Sequence, residues 1–215
     1  MRKLALFDFD GTLVNSVDDV VTCFDEALTM YDFPILTREE YIECLGGNID
    51  EAVSLILKDK NTPENIELIK NTYEKLYDEL EKDNTKPYPE IHELLKSLQE
   101  IDMLFAINSN RKTDSIKYYV EKFFPDIHFE SIEGHNPDYP SKPDPYSVNK
   151  IMKKLNVSED ELIYIGDSQT DIQTAKNAKI DCLIVRWGYG NQKDYENDYV
   201  LGVVDSPSQI LEYFP

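Results

Sequence analysis

The sequence lacks the features that mark secreted, zinc-binding or membrane proteins. It has three cysteines among 215 residues, and Cys23, Cys44 and Cys182 are odd in number and widely spaced, so we expect reduced thiols. The longest apolar runs cover only a few residues, which excludes a transmembrane helix. The first three residues lead directly into a strand pattern without a cleavage-like site, so we expect a cytoplasmic protein without a signal peptide.

Basic residues are also scarce relative to acidic ones. Lysine and arginine number 22 against 42 aspartates and glutamates, which gives a formal net charge of −20. Nucleic-acid backbones are bound by clustered lysine and arginine, so a nucleic-acid partner is not expected. A small anionic substrate would need positive charge concentrated locally, from a metal ion or a few placed cations.

Short apolar runs rich in β-branched and aromatic residues recur along the chain, and helical patterns follow several of them. Strands that alternate with helices predict an α/β fold, a doubly wound, mainly parallel sheet with a Rossmann-like core. Ligands bind such sheets at the carboxyl ends of the strands. The runs lie at 3–8, 103–108, 127–132, 161–165 and 181–186.

A long segment after the first strand has almost no strand signal. Apolar residues recur at intervals of three and four from Ile66 to Leu80, with Pro63 in a predicted first turn and Thr62 as N-cap. Two shorter helices are predicted on either side of Gly46-Gly47. We therefore predict a helical subdomain over residues 14–85, inserted into a core domain of residues 1–13 and 86–215.

The stretch DFDGT closes the first strand with two carboxylates and a glycine. Residues i and i+2 of a strand point the same way, so Asp8 and Asp10 should project together. Two carboxylates so close resist joint ionisation unless a cation neutralises them. Gly11 permits a sharp turn and close approach of a ligand, and Thr12 offers a hydroxyl or an amide; an ordinary acidic turn is the alternative.

Two later stretches carry polar residues at the end of a strand or just before a helix. Ser109 and Asn110 suit the oxygens of a phosphate, and Lys142 precedes a helix that Asp144 could cap and Pro145 could start. Each also fits an ordinary structural role, as a helix cap or a surface lysine.

Asp167 follows a buried strand, and Asp171 lies one helical turn later, so both should share a face. The alternative is an N-capping aspartate with a second acid that favours the helix dipole. Hard cations such as Mg²⁺ prefer carboxylate oxygens, and Asp8, Asp167 and a backbone carbonyl around Asp10 would form such a site.

Taken together and in this order, these stretches resemble the haloacid dehalogenase superfamily of phosphohydrolases, and within it the phosphoglycolate-phosphatase-like group with a helical cap. The resemblance covers nearly the whole chain. DFDGTLVNS matches the first motif, Ser109 the second, Lys142 in KPDP the third and GDSQTD the fourth. The first and fourth motifs are specific, whereas the second is loose.

The resemblance implies a phosphoric monoester hydrolase that acts on a small phosphorylated metabolite. Asp8 would be the nucleophile, Asp10 the general acid and then the general base, and Lys142 and Ser109 would stabilise the transferring group. Gly11, Thr12 and Asn110 would contact phosphate. Mg²⁺ would be held by Asp8, Asp167 and the Asp10 carbonyl, and Asp171 would orient Lys142 or a metal-bound water.

Several alternatives remain open at this point. A phosphomutase of the β-phosphoglucomutase type uses the same covalent chemistry, and a nucleotidase or pyrophosphatase needs only another substrate. A non-catalytic regulatory protein on the same fold is disfavoured, because its carboxylates or lysine would be expected to be lost. Gly46-Gly47 is a candidate substrate-facing loop, Trp187 could line the site, and the protein is expected to be a monomer or homodimer.

Overall fold

The computed structural model describes residues 2–80 and 83–214. By its contacts the chain divides into two compact units, one formed by Met1–Val14 with Pro87–Pro215 and the other by Asn15–Lys86. The assignment of these units as catalytic core and cap, with boundaries at 13/14 and 85/86, stays a prediction. Residues 1, 81, 82 and 215 of the predicted domains lie outside the described residues.

The first unit contains a six-stranded sheet formed by β1 (Leu4–Phe7), β4 (Leu104–Lys112), β5 (Ser131–His135), β6 (Leu162–Gly166), β7 (Asp181–Val185) and β8 (Gly202–Val204). The sheet is fully parallel, and its strand order is β5-β4-β1-β6-β7-β8. Its helices are α5 (Ile91–Glu100), α6 (Thr113–Phe123), α7 (Tyr146–Leu155), α8 (Gln169–Ala178), α9 (Gln192–Tyr195) and α10 (Pro207–Ile210). Two further strands of two residues each, β2 (Val14–Asn15) and β3 (Lys86–Pro87), form a small second sheet.

Alternation along the strands builds a core on each face of the large sheet. Ala5 and Phe7 of β1 pack with residues of α5, α6 and α10, whereas Leu4 and Leu6 pack with residues of α7 and α8. Full burial of such an aliphatic or aromatic side chain contributes about 1.5–3 kcal/mol. The predicted doubly wound α/β sheet is thus confirmed.

The second unit is helical and has a core of its own. It contains α1 (Val17–Thr29), α2 (Arg38–Cys44), α3 (Ile49–Leu57) and α4 (Pro63–Glu79). The predicted start of α4 is confirmed, because Pro63 begins the helix and the Thr62 side chain accepts a hydrogen bond from Asn65 N. Among the helices of the described ranges, none is long and apolar enough to span a lipid bilayer.

Two details of the predicted elements are wrong, and one short strand was not predicted. The strand expected at 127–132 begins only at Ser131; Ile127 closes a turn in which its N donates to Phe124 O, and residues 128–130 are not part of a strand. The short strand β8 escaped notice because three residues carry little periodicity. Pro145 occupies the N-cap of α7 rather than its first turn, and Asp144 Oδ1 accepts from Tyr146 N at 2.9 Å.

Candidate active site

The acidic pair follows directly after the central strand β1. Asp8 N donates to Ile165 O of β6 at 2.8 Å, so the sheet holds Asp8 at its carboxyl edge. Asp8 is buried and Asp10 is half-buried. Gly11 has φ +80°, and a Cβ there would lie 2.3 Å from Asp167 Oδ2, so both the turn and the close approach require glycine.

Lys142 forms a buried ion-pair network with two carboxylates. Its Nζ lies 2.8 Å from Asp8 Oδ1 and 2.7 Å from Asp171 Oδ1. Burial lowers the pKa of Lys142, but the charges of Asp171 and Asp8 outweigh it and raise this pKa well above its usual range. Burial raises the pKa of Asp8 to about 7, and repulsion from Asp171 adds to that rise while Lys142 opposes it.

Asp171 uses both carboxylate oxygens to organise its neighbours. Its Oδ1 accepts from Lys142 and from the Tyr164 hydroxyl at 3.3 Å, and its Oδ2 accepts from the backbone N–H groups of Asp167 and Ser168 and from the Ser168 hydroxyl. Lys142 Nζ lies 2.7 Å from Asp171 Oδ1, and three donors just before α8 hold Oδ2, so Asp171 is fixed in a position to orient Lys142.

Asp167 is buried against the loop that follows β7. Its Oδ2 accepts from Tyr189 N at 2.7 Å, and Thr12 Oγ1 donates to its Oδ1 at 3.4 Å. Burial raises the pKa of Asp167 well above its usual range, and repulsion from Asp171 and Asp8 acts in the same direction. The hydroxyl of Thr12 is thus turned toward Asp167.

The loop after β7 packs closely on this part of the site. Trp187 Nε1 donates to Thr12 O at 3.1 Å. A Cβ on Gly188 would lie 2.3 Å from Gly11 O and 2.4 Å from Asp167 Cβ. Trp187 therefore helps to fix the turn after β1.

The carboxylate oxygens of three buried aspartates could serve as ligands of a divalent cation. Oxygens of Asp8, Asp167 and Asp171 lie within 4.8 Å of one another and all three residues are buried. Ionisation of all three aspartates would leave two negative charges beyond the one that Lys142 compensates, and burying unpaired charge is costly, so a bound cation would favour the ionised state. Oxygen ligands are those that Mg²⁺ prefers.

The end of β4 brings Ser109 and Asn110 into the same region. Ser109 is buried, and its Oγ accepts from Arg111 N at 3.2 Å. The Asn110 side chain binds the backbone of Lys142 twice, because its Oδ1 accepts from Lys142 N at 2.9 Å and its Nδ2 donates to Lys142 O at 3.3 Å. Asn110 therefore holds the lysine in place, and phosphate contact through its backbone stays a prediction.

Arg111 was not among the predicted site residues, but it contacts one of them. Its guanidinium binds the Asp10 carboxylate through two hydrogen bonds, Nε to Oδ2 at 2.8 Å and Nη2 to Oδ1 at 2.5 Å. The available signal was a cation two residues beyond the second motif residue, Ser109. Gly46 and Gly47 lie between α2 and α3 in the other unit, and their contact with substrate stays a prediction.

A family model described as haloacid dehalogenase-like hydrolase matches residues 5–185. The chain is 27% identical to phosphoglycolate phosphatase of Vibrio vulnificus strain YJ016 over 224 residues, with 98% of this chain and 95% of that protein covered. It is also 27% identical to phosphoglycolate phosphatase of Aquifex aeolicus over 210 residues, with the same coverage.

The structure is similar to the crystal structure of a phosphoglycolate phosphatase candidate from Lactobacillus delbrueckii subsp. bulgaricus. The TM-score is 0.92 at 25% identity, with 99% of this chain and 98% of that chain covered. The match to the family model, over residues 5–185, includes all four stretches that carry Asp8, Ser109, Lys142 and Asp167.

Proposed function

The chain belongs to the haloacid dehalogenase-like hydrolase family, and we propose that it hydrolyses a small phosphomonoester through an aspartyl-phosphate formed on Asp8. The observation that carries this proposal is the buried arrangement of Asp8, Lys142 and Asp167 at the carboxyl edge of the sheet. These three residues would supply the nucleophile, the cation and a metal ligand that this chemistry needs, and their proximity supports the proposal.

In the first step a carboxylate oxygen of Asp8 attacks phosphorus, and the bond from phosphorus to the leaving oxygen breaks. Asp10 donates a proton to that oxygen, which lets it depart as an alcohol. Lys142 stabilises the charge on the phosphoryl oxygens, and the Ser109 hydroxyl donates a hydrogen bond to them.

In the second step a water attacks phosphorus and Asp10 takes its proton. The bond from phosphorus to the Asp8 oxygen breaks, which releases inorganic phosphate and restores the carboxylate. Proton transfer by a positioned side chain accelerates such steps by about 10²–10⁴-fold.

Asp8, Asp167 and the backbone carbonyl of Asp10 would hold Mg²⁺. When bound, the ion would neutralise repulsion between the Asp8 carboxylate and the anionic substrate. Asp171 keeps Lys142 beside Asp8 throughout the cycle.

Phosphoglycolate is the first substrate to test, because the similar proteins from Vibrio vulnificus and Aquifex aeolicus are phosphoglycolate phosphatases. The experiment measures phosphate release from phosphoglycolate, p-nitrophenyl phosphate, a sugar phosphate, a nucleoside monophosphate and pyrophosphate. Each is assayed with Mg²⁺ and with EDTA. Recovery of an isomerised sugar phosphate in place of inorganic phosphate would indicate a mutase.

The phosphate-release assay also tests whether Asp8 is the nucleophile. We expect Asp8→Asn to abolish turnover while leaving the circular dichroism spectrum unchanged, because the amide cannot form the covalent intermediate. Asp160→Asn is the matched control, since Asp160 is exposed and lies before β6, at the amino edge of the sheet. Turnover retained by Asp8→Asn would remove Asp8 from the nucleophile role.

A further inference from the structure

The Asp10 carboxylate is held by the planar guanidinium of Arg111. Arg111 Nε and Nη2 contact its two oxygens at 2.8 and 2.5 Å, in the fork geometry that fixes both the position and the rotation of a carboxylate. The Arg111 side chain is 7% exposed, whereas that of Asp10 is 26% exposed. The arginine is therefore the more enclosed member of the pair, and it reaches the carboxylate from inside the fold.

Arg111 is itself fixed from several sides. Its guanidinium carbon lies 5.9 Å from the ring centroid of Phe9 and 5.4 Å from that of Tyr119, and both rings are fully buried. Its Nη1 donates to Ser115 Oγ at 3.2 Å. Aromatic faces favour a flat guanidinium, so the fork is preorganised before it meets Asp10.

We propose that Arg111 is a positioning residue that aims the Asp10 carboxylate at the leaving oxygen of the substrate. This inference rests on the proposed function, because it assigns Arg111 a part in the proton transfer made by Asp10. Arg111 acts through Asp10 and makes no bond to the reacting phosphoryl group. A lysine at this position would keep the charge but lose the fork and the stacking.

The positioning role of Arg111 predicts that the effect of its substitution on kcat/KM depends on the leaving group. An alkoxide needs a proton in order to depart, whereas p-nitrophenolate departs readily without one. The value of kcat/KM reports the steps up to departure of the leaving group. Misdirecting Asp10 should therefore lower kcat/KM for an alkyl phosphate and have little effect on p-nitrophenyl phosphate.

The test compares wild-type protein with Arg111→Lys and Arg111→Gln on one alkyl phosphate and on p-nitrophenyl phosphate, with Mg²⁺ present. We expect kcat/KM for the alkyl phosphate to fall by up to about 100-fold, and that for p-nitrophenyl phosphate by about threefold or less. In the double variant Asp10→Asn/Arg111→Lys, the alkyl phosphate should show no further loss beyond Asp10→Asn alone.

Arg2→Lys is the matched control, because Arg2 also pairs with an aspartate, Asp181, but at the amino edge of the sheet. Arg2→Lys should leave kcat/KM for both substrates unchanged. Equal losses on both substrates in the Arg111 variants, or additive loss in the double variant, would overturn the positioning role while wild-type turnover leaves the proposed function intact. Absence of wild-type turnover would overturn the proposed function and this inference with it.

Discussion

Gly11 shows how much of the site depends on single backbone positions. Its φ of +80° lies in the region that favours glycine, and the space where a Cβ would stand is filled by the Asp167 carboxylate. A side chain at this position would be strained and would also displace a candidate metal ligand. Gly11 therefore couples the turn after β1 to the position of the Asp167 carboxylate in the fourth motif.

We expect Gly11→Ala to weaken Mg²⁺ binding as well as to destabilise the fold. Left-handed backbone at a non-glycine residue costs about 1–2 kcal/mol, and movement of Asp167 adds the loss of metal affinity. Urea unfolding and calorimetric titration with Mg²⁺ measure the two effects.

The control for this substitution is Gly46→Ala, because Gly46 also has positive φ, +102°, but lies in the helical unit. It should lower the free energy of unfolding and leave Mg²⁺ affinity unchanged. Unaltered Mg²⁺ binding by Gly11→Ala would contradict the proposed position of the metal.

At the scale of elements, α2, α3 and α4 of the second unit begin with side-chain caps. Thr37 and Asn48 form capping boxes at the starts of α2 and α3, and Thr62 caps α4. Each cap satisfies a backbone N–H that has no partner within its own helix. These caps therefore define where the helices start.

Removal of the α4 cap should destabilise this unit measurably. We expect Thr62→Ala to lower the free energy of unfolding by about 1 kcal/mol, because Asn65 N loses its acceptor at 3.3 Å. Thr62→Ser keeps the hydroxyl and serves as the control. Urea unfolding measures the difference, and an equal loss in both variants would show that the cap contributes nothing.

At the scale of the whole molecule, negative charge is abundant, and three of the acidic residues form a buried cluster in the candidate site. The net charge is −20, and Asp8, Asp167 and Asp171 are close together with Lys142 as the cation in direct contact with two of them. Such a cluster favours a bound cation in the folded state. Ligand that binds only the folded state stabilises it.

We therefore expect Mg²⁺ to raise the unfolding temperature. At 100 times its dissociation constant the ion should stabilise the fold by about 2.7 kcal/mol, and EDTA should reverse the effect. In Asp167→Asn the shift should shrink strongly, whereas Asp160→Asn should show the wild-type shift. Thermal unfolding with and without Mg²⁺ measures it, and an equal shift in Asp167→Asn would exclude Asp167 as a ligand.

The sequence by itself determined the α/β class, the strands that carry the site and the inserted helices. These features are periodic patterns within one element, as in α4, or motifs of a few neighbouring residues, as in DFDGT. Local sterics and side-chain spacing encode them, so they can be interpreted without knowledge of distant partners. Asp8 and Asp167 follow from the same local signals, whereas Lys142 is a candidate only through the order of the motifs and the family resemblance.

Only the tertiary structure decided which of these groups meet. The pair of Asp10 with Arg111 joins residues 101 positions apart, and the two hydrogen bonds between Asn110 and Lys142 span 32 positions. Their contact depends on which strands are neighbours, on register and on the irregularity of β4 between Asn108 and Lys112. No local pattern contains that information, because it arises when separate strand ends are brought to one edge of the sheet.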